Sequence, residues 1–213
     1  MTLPFRALGL LFRDFRLLVL AFFPGAFTFV ASGALTWWVW SLWLNPLSWW
    51  LEIPSSLAVF FLSWLLLGNI ALVPVEDAIV DRVQVLELGS VRYAPPGFSL
   101  ARLGREFLFS LGVAVVGVLV LILGWIPGVG AVTFLFAALL TSYSFLTTPY
   151  ARVAATAGER LRAFGRDVPS NLLLGLLLNV LLFVPLVNVF LLGYALILST
   201  LVFLRRRQGK DPP

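Results

Sequence analysis

The basic residues of this chain fall into four short blocks, and the sequence between the blocks is almost free of charge. The only charged residue from Leu17 to Val75 is Glu52. No charged residue occurs from Phe107 to Ala151 or from Val168 to Leu204. A soluble domain cannot bury uncharged apolar stretches of this length, so the pattern predicts an integral membrane protein. A composition of 61% hydrophobic and 12% charged residues agrees with this prediction.

The membrane segments are predicted to be helices. A segment in hydrocarbon must satisfy its own backbone hydrogen bonds, so it is either an α-helix or a strand of a closed barrel. The apolar stretches lack the alternating pattern of barrel strands, so we expect an all-α integral membrane protein. The absence of cysteine and histidine excludes disulfides, thiolate ligands and His-based metal or catalytic sites. We expect no enzymatic activity, because no residue set forms a nucleophile, base and orienting group. We also expect no cofactor and no nucleic-acid partner.

Two long transmembrane helices are predicted in the first part of the chain. The run from Leu17 to Leu44 has 28 residues, whereas a signal-peptide core has roughly 7 to 15, so this run is an anchor. As a helix it would measure about 42 Å, which exceeds the hydrocarbon layer of about 30 Å. Pro24 and Gly25 predict a break near its basic end. A second span from about Ile53 to Val75 returns the chain to the basic side.

The orientation follows from aromatic and basic residues. Indole rings favour the headgroup layer, and tryptophans cluster where the first span ends. The loop beside them carries Glu52 and no lysine or arginine. We therefore place this loop outside, and both termini in the cytoplasm, in a multi-pass protein of the cell inner (plasma) membrane. The clustered tryptophans are Trp37, Trp38, Trp40, Trp43, Trp49 and Trp50.

Two helical hairpins are predicted in the second half, because each apolar region is interrupted by a short breaker and returns to a basic block. A second-hairpin arm from Leu172 to Val184 would reach only about 20 Å, so we expect this hairpin to be re-entrant. The arms of the first hairpin would reach about 27 Å, so crossing and re-entry both stay open. The predicted arms are Leu108–Trp125, Ala131–Thr148, Leu172–Val184 and Val189–Leu204, and the predicted tips contain Pro127, Gly128 and Gly130 in the first hairpin and Pro185 and Asn188 in the second.

Amphipathic surface elements complete a single membrane domain, residues 1–207, followed by a tail, 208–213, that we expect to be disordered. Interfacial helices are predicted where apolar residues recur at spacings of three or four, first at Phe5, Leu8, Phe12 and Phe15, and again at Val75, Ile79, Val83 and Leu86. The basic connector Arg152–Asp167 would attract anionic lipid headgroups.

Three carboxylates near the end of the second span have three possible roles. Glu76, Asp77 and Asp81 could hold magnesium, could cap and solvate an interfacial helix, or could bind the basic connector. They lack the signature of membrane alcohol phosphotransferases. We favour the second and third roles.

Four short segments carry a family resemblance: PVEDAIVDRV at Pro74–Val83, IPGVG at Ile126–Gly130, Phe164-Gly165, and PLVN at Pro185–Asn188. In this order they resemble the CysZ-like family of the etoposide-induced domain superfamily, over about residues 10–203. The resemblance implies two long spanning helices, two partly penetrating hairpins and a homo-oligomer. For the characterised bacterial branch it implies sulfate uptake that feeds cysteine synthesis.

The sequence departs from that branch in two places. Asp14-Phe15-Arg16 stands where the resemblance to sulfate-transporting members leads us to expect Gly-Leu-Arg. Only Arg16 therefore carries over as an anion ligand. Gly193 stands where the resemblance leads us to expect proline.

An anion site would need arginine forks or a helix N-terminus, because sulfate offers only hydrogen-bond acceptors. The candidates are Arg13, Arg16, Arg102 and Arg105, with Glu106 placed to pair with Arg102 at i,i+4. The alternative is that these arginines are ordinary positive-inside residues at helix ends. Two functions stay open: a permease for an inorganic anion, sulfate first, or a non-transporting membrane scaffold or lipid-interacting protein.

Overall fold

The computed structural model describes residues 2–44, 49–94, 130–154, 156–182 and 185–208, with scattered positions between 104 and 129. The regular structure within these ranges is entirely helical. Three helices of this part are long and apolar enough to cross a membrane: Phe15–Trp43, Trp49–Gly68 and Gly130–Ala151. The prediction of an all-α protein with membrane-compatible helices is therefore confirmed.

The chain begins with helix α1, Leu3–Arg13, and helix α2, Phe15–Val39, which continues as one π-helical segment over Trp40–Leu44. Asp14 separates α1 from α2 in an extended conformation. Its carboxylate accepts a hydrogen bond from the Leu17 amide at 2.9 Å, which caps the N-terminus of α2.

The predicted break at Pro24 and Gly25 is wrong, because α2 is helical through both residues. A proline inside a helix removes only one backbone donor, and the surrounding protein buries both residues. The Thr28 hydroxyl, one turn after the proline, donates to the Pro24 carbonyl at 2.6 Å. Pro24 and Gly25 are therefore packing residues within a continuous helix.

Helix α3 runs from Trp49 to Leu88, 40 residues without interruption. It contains both the predicted second span and the residues predicted to form a separate interfacial helix. The prediction of a separate interfacial helix there is therefore wrong. Ile79 and Val83 are fully buried inside the protein. The same apolar spacing serves a membrane surface or a neighbouring helix, and here a neighbouring helix covers it. At about 60 Å, α3 is twice as long as the hydrocarbon layer is thick.

Helix α4, Gly130–Ala151, confirms that the residues predicted as the second arm of the first hairpin are helical. Gly128 has φ +87°, a left-handed conformation that glycine adopts without strain. Gly130 is the first residue of α4, not part of the loop. The first arm, Pro127 and the candidates Arg102, Arg105 and Glu106 lie wholly or largely outside the described residues.

The last helices are α5, Ala157–Gly165, α6, Val168–Leu182, and α7, Pro185–Gln208. The predicted loop from Pro185 to Asn188 is wrong, because these residues form the first turn of α7. Proline suits the first position of a helix, where its missing N–H leaves no bond unmade. Helix α7 therefore begins four residues before the predicted arm Val189–Leu204.

Helix α7 is central to the packing, because it contacts α1, α2, α3, α4 and α6. Every residue from Tyr194 to Leu204 is buried. Two glycines allow close helix contact. A Cβ placed on Gly193 would lie 2.2 Å from Ala21 Cα, and one on Gly175 would lie 1.8 Å from the Ala138 carbonyl oxygen. No side chain fits at either contact, which gives a physical reason for glycine at position 193.

Candidate functional site

Three clusters of polar residues lie at the basic end of the helices, and each cluster is built around an arginine. The arginines are Arg152, which follows α4, Arg206 on α7 and Arg82 on α3. These clusters decide which basic residues are committed to the fold and which are available to a ligand.

Arg152 has the most enclosed guanidinium, with no exposed side-chain surface. Its Nη2 donates to the Asp77 carboxylate at 2.9 Å and to the Asp77 carbonyl at 3.0 Å. Its Nη1 donates to the Asp81 carboxylate and, at 2.9 Å, to the Tyr93 carbonyl. The prediction that Asp77 and Asp81 bind the basic connector is therefore confirmed, and the guanidinium fills the position between them that a cation would need.

Gln84 anchors the segment that follows α3, and its side chain is fully buried. Its Oε1 accepts from the amides of Arg92 at 3.1 Å and Tyr93 at 2.9 Å, and its Nε2 donates to the Tyr93 carbonyl at 3.1 Å. Arg152 donates to the same carbonyl. One backbone oxygen thus joins α3, the segment after it and the end of α4.

Arg206 joins three helices. Its Nη1 donates to the Tyr150 hydroxyl at 2.7 Å on α4, and its Nη2 to the Asn171 side-chain oxygen at 2.8 Å on α6. The same Nη2 lies 2.8 Å from the carboxylate of Asp167. Asn171 is itself fully buried and donates to the Phe164 carbonyl at 2.7 Å, so α5 is tied to the same cluster.

The junction between α1 and α2 holds the two described anion-ligand candidates, Arg13 and Arg16, and both are exposed. Asp14, which lies between them, is bound by Arg82: the Arg82 Nε donates to its carboxylate at 2.9 Å, and Nη2 donates to the same oxygen. The Arg82 hydrogen bonds hold the pKa of the Asp14 carboxyl below its ordinary value, although burial opposes them. Within the described ranges, neither Arg13 nor Arg16 has an acidic partner.

Polar groups within or near the apolar helices bond between helices. Thr141 on α4 donates to Asn179 on α6 at 2.9 Å. Thr148 on α4 donates at 2.8 Å to Glu76 on α3, whose side chain is almost completely buried. Such bonds satisfy groups that hydrocarbon would leave unsolvated, so these residues stabilise helix packing.

Sequence reasoning missed the roles of Arg152 and Arg206. The pair Asp77 and Asp81, four residues apart on one helical face, was a signal for a basic partner, but four arginines of the connector fitted it equally well. Arg206 lies in a run of three arginines that looks like an ordinary positive-inside signal. Only the fold distinguishes these two arginines from their neighbours.

The comparisons with known proteins agree with the fold. A sequence model of the family described as sulfate transporter CysZ/etoposide-induced protein 2.4 matches residues 3–192. No curated protein matches the chain significantly. The family match extends from α1 into the first turns of α7, and so includes the Arg16 region, the Arg152 cluster and most of the helical core. This chain therefore belongs to the sulfate transporter CysZ/etoposide-induced protein 2.4 family.

Proposed function

We propose that this protein is a membrane permease for an inorganic anion, and that sulfate is its principal substrate. The observation that carries the proposal is that Arg16 is exposed and has no acidic partner among the described residues. This guanidinium is exposed in the first turn of α2, where an apolar candidate span meets the basic end of the molecule. Membership of a family described by a sulfate transporter supports the same function.

Asp14 does not neutralise Arg16 in this arrangement, because Arg82 holds the Asp14 carboxylate. Asp14 also accepts the Leu17 N–H, so it occupies part of the α2 N-terminus that could otherwise bind an anion. An anion at this junction would therefore depend on side-chain donors. Arg16 offers a fork of N–H groups suited to a tetrahedral oxyanion, and Arg13 is the nearest other exposed arginine along the chain.

A re-entrant α6–α7 hairpin is the second part of the proposal, and the contacts between α2 and α7 support it. Gly193 packs on Ala21, and the rings of Phe22 and Phe190 lie 5.0 Å apart. From Ala21, α2 and its π-helical extension continue about 28 Å to Trp40, whereas α7 extends only about 12 Å from Gly193 back to Pro185. The hairpin tip would then lie about 16 Å short of the tryptophan cluster, inside the bilayer. A buried tip of this kind could line a water-filled route.

The experiment is uptake of labelled sulfate by proteoliposomes containing the purified full chain. The proposal predicts saturable uptake that the Arg16→Ala variant reduces by about tenfold or more, the loss expected when one charged hydrogen-bonding partner is removed. Arg166→Ala, which removes another exposed arginine, directly after α5, is the matched control and should leave uptake unchanged. Chloride, phosphate and sulfite as competitors define the anion class. Uptake equal to that of protein-free vesicles, or equal in Arg16→Ala and the unmodified chain, would contradict the proposal.

A non-transporting membrane scaffold or lipid-interacting protein is the second candidate, favoured by the exposed aromatic face of α1. Phe5 is 65% exposed and Phe12 69% exposed, as expected for a helix that lies in the membrane interface. This function predicts lipid binding without sulfate uptake. A homo-oligomer is part of both proposals, and light scattering of the detergent-solubilised protein measures it.

A further inference from the structure

A cleft of about 210 Å³ opens at the basic end of the molecule, between α1, α3 and α7. Three leucines form its apolar wall: Leu3, Leu201 and Leu204. Arg6, Glu87 and Arg205 provide its charged rim. The cleft is formed by different residues from those proposed to bind the transported anion, so neither site depends on the other.

The rim keeps a net positive charge because only one of its two arginines is neutralised. Arg6 forms a two-pronged pair with Glu87: its Nε donates to Oε1 at 2.9 Å, and its Nη2 donates to Oε2. This pair occupies both carboxylate oxygens of Glu87. Arg205 is exposed and has no acidic partner within the described part of the chain.

The two arginines that follow Arg205 are used differently. Arg206 is committed to Asp167 and Tyr150, and the Arg207 guanidinium carbon lies 5.9 Å from the centre of the Phe203 ring. Arg205 is therefore the member of the run that faces the cleft without a structural partner. A cation in this position is free to bind an anionic group.

The position of the cleft indicates which kind of anion fits. Leu201 and Leu204 are each 3% exposed, so the wall of the cleft is continuous with the protein core. On the outer side, α1 presents Phe5, Leu8 and Phe12 away from the protein. Such a helix buries its apolar face in the headgroup and acyl boundary, which places the cleft at headgroup depth. At this depth the phosphates of anionic lipids are concentrated beside Arg205, so a lipid phosphate is the anion that the position favours.

We propose that this cleft binds the headgroup phosphate of an anionic glycerophospholipid. Arg205 donates to the phosphate oxygens, and Arg6, held in place by Glu87, adds positive charge from the opposite side of the cleft. Leu3, which is only partly buried, contacts the glycerol backbone. The cleft of about 210 Å³ receives the phosphodiester and glycerol, and the acyl chains remain in the bilayer.

The test is a binding titration of the purified full chain with a fluorescent phosphatidylglycerol in detergent, with phosphatidylcholine and inorganic phosphate as competitors. Arg205→Gln should weaken phosphatidylglycerol binding about fivefold, the effect of one arginine near an anionic surface. Arg205→Glu should weaken it further. Arg92→Gln removes an exposed arginine from the segment after α3 and is the matched control, expected to bind like the unmodified chain.

Each arm of this titration has an outcome that overturns the proposal. Phosphatidylglycerol affinity that is equal in Arg205→Gln and the unmodified chain removes Arg205 from the site. Equal competition by phosphatidylcholine shows that charge is not recognised. Competition by millimolar inorganic phosphate as strong as that by the anionic lipid identifies a free-anion site instead.

Discussion

At the residue scale, three arginines are the centres of polar clusters that hold helices together, and two others are exposed without an acidic partner among the described residues. Arg82, Arg152 and Arg206 each bind at least one carboxylate at the basic end. Arg16 and Arg205 are exposed and lack an acidic partner in the described ranges. We therefore propose that the first group stabilises the fold and that the second recognises anions.

Arg152→Ala should destabilise the protein by about 3 kcal/mol, because it leaves Asp77 and Asp81 without the buried cation that they face. The two carboxylates are partly exposed, so water will recover some of the loss. Arg152→Lys should recover little, since an ammonium group cannot contact both carboxylates and both backbone carbonyls at once. Unfolding in detergent followed by circular dichroism measures the effect. Arg162→Ala is the control, and an equal loss in this variant would contradict the assignment.

The pH dependence of stability should include a contribution from Asp14. Its folded pKa lies below its unfolded value of about 3.9, so the ionised carboxylate stabilises the folded protein above that value. The contribution is lost as the pH falls below about 4 and through the folded pKa. Asp14→Asn keeps a good N-cap but removes the charge. The stability of this variant should therefore fall less than that of the unmodified chain between about pH 5 and about pH 3, measured at constant ionic strength. Parallel stability profiles for the two proteins would contradict this.

The sequence could predict that Asp77 and Asp81 bind the basic connector, because their spacing places both on one helical face. It could not identify Arg152 as the partner. That choice depends on where α4 ends, and α4 continues through Pro149 to Ala151. Arg102, Arg105 and Glu106 lie outside the described residues, so their roles remain sequence-based predictions.

At the element scale, hydrophobic patterning located the helices better than their ends. The first span, α1 and the second arm of the first hairpin were predicted close to their observed positions. Some helix ends that were predicted at proline and glycine residues were wrong. Pro24 and Pro74 lie inside continuous helices, and Pro185 begins a helix where a loop was expected. A proline marks a boundary only when nothing else holds the helical path, and at Pro24 the buried packing holds it.

Gly175→Ala and Gly193→Ala should each destabilise the protein by about 1 to 3 kcal/mol, because the added methyl group would overlap the backbone of a neighbouring helix. Gly33→Ala on α2 is the control, since a Cβ there meets nothing within 4 Å. It should be neutral or slightly stabilising through its higher helix propensity. Thermal unfolding of the three variants in one detergent compares them. A Gly193→Ala variant as stable as Gly33→Ala would show that α2 and α7 are farther apart than described.

The depth of the α6–α7 hairpin can be measured with a fluorophore at Leu186→Cys, because the chain has no native cysteine. A re-entrant tip should be quenched most by spin labels deep in the acyl chains. A reporter at Ser41→Cys, next to the tryptophan cluster, should be quenched most by spin labels on the headgroups. Headgroup quenching of both reporters would mean that the hairpin crosses the bilayer.

At the scale of the whole molecule, α2 and α3 extend from the tryptophan cluster to a basic end where all the described helices meet. The buried core at that end includes α1, the last third of α3 and the second half of α7. Charge segregation along the chain predicted this polarity, because each apolar region returns to an arginine block. The sequence could not reveal that the basic end has its own packed core, since the same apolar spacing also fits a membrane surface.

The most direct test of this account is the sidedness of three single-cysteine variants, Thr2→Cys, Ser41→Cys and Gln208→Cys, in right-side-out membrane vesicles treated with a membrane-impermeant thiol reagent. We predict that Ser41→Cys is labelled in intact vesicles, and that Thr2→Cys and Gln208→Cys are labelled only after the vesicles are opened. Labelling of Thr2→Cys and Gln208→Cys from opposite sides, or of all three from one side, would contradict a bundle that enters the bilayer and returns to a single basic end.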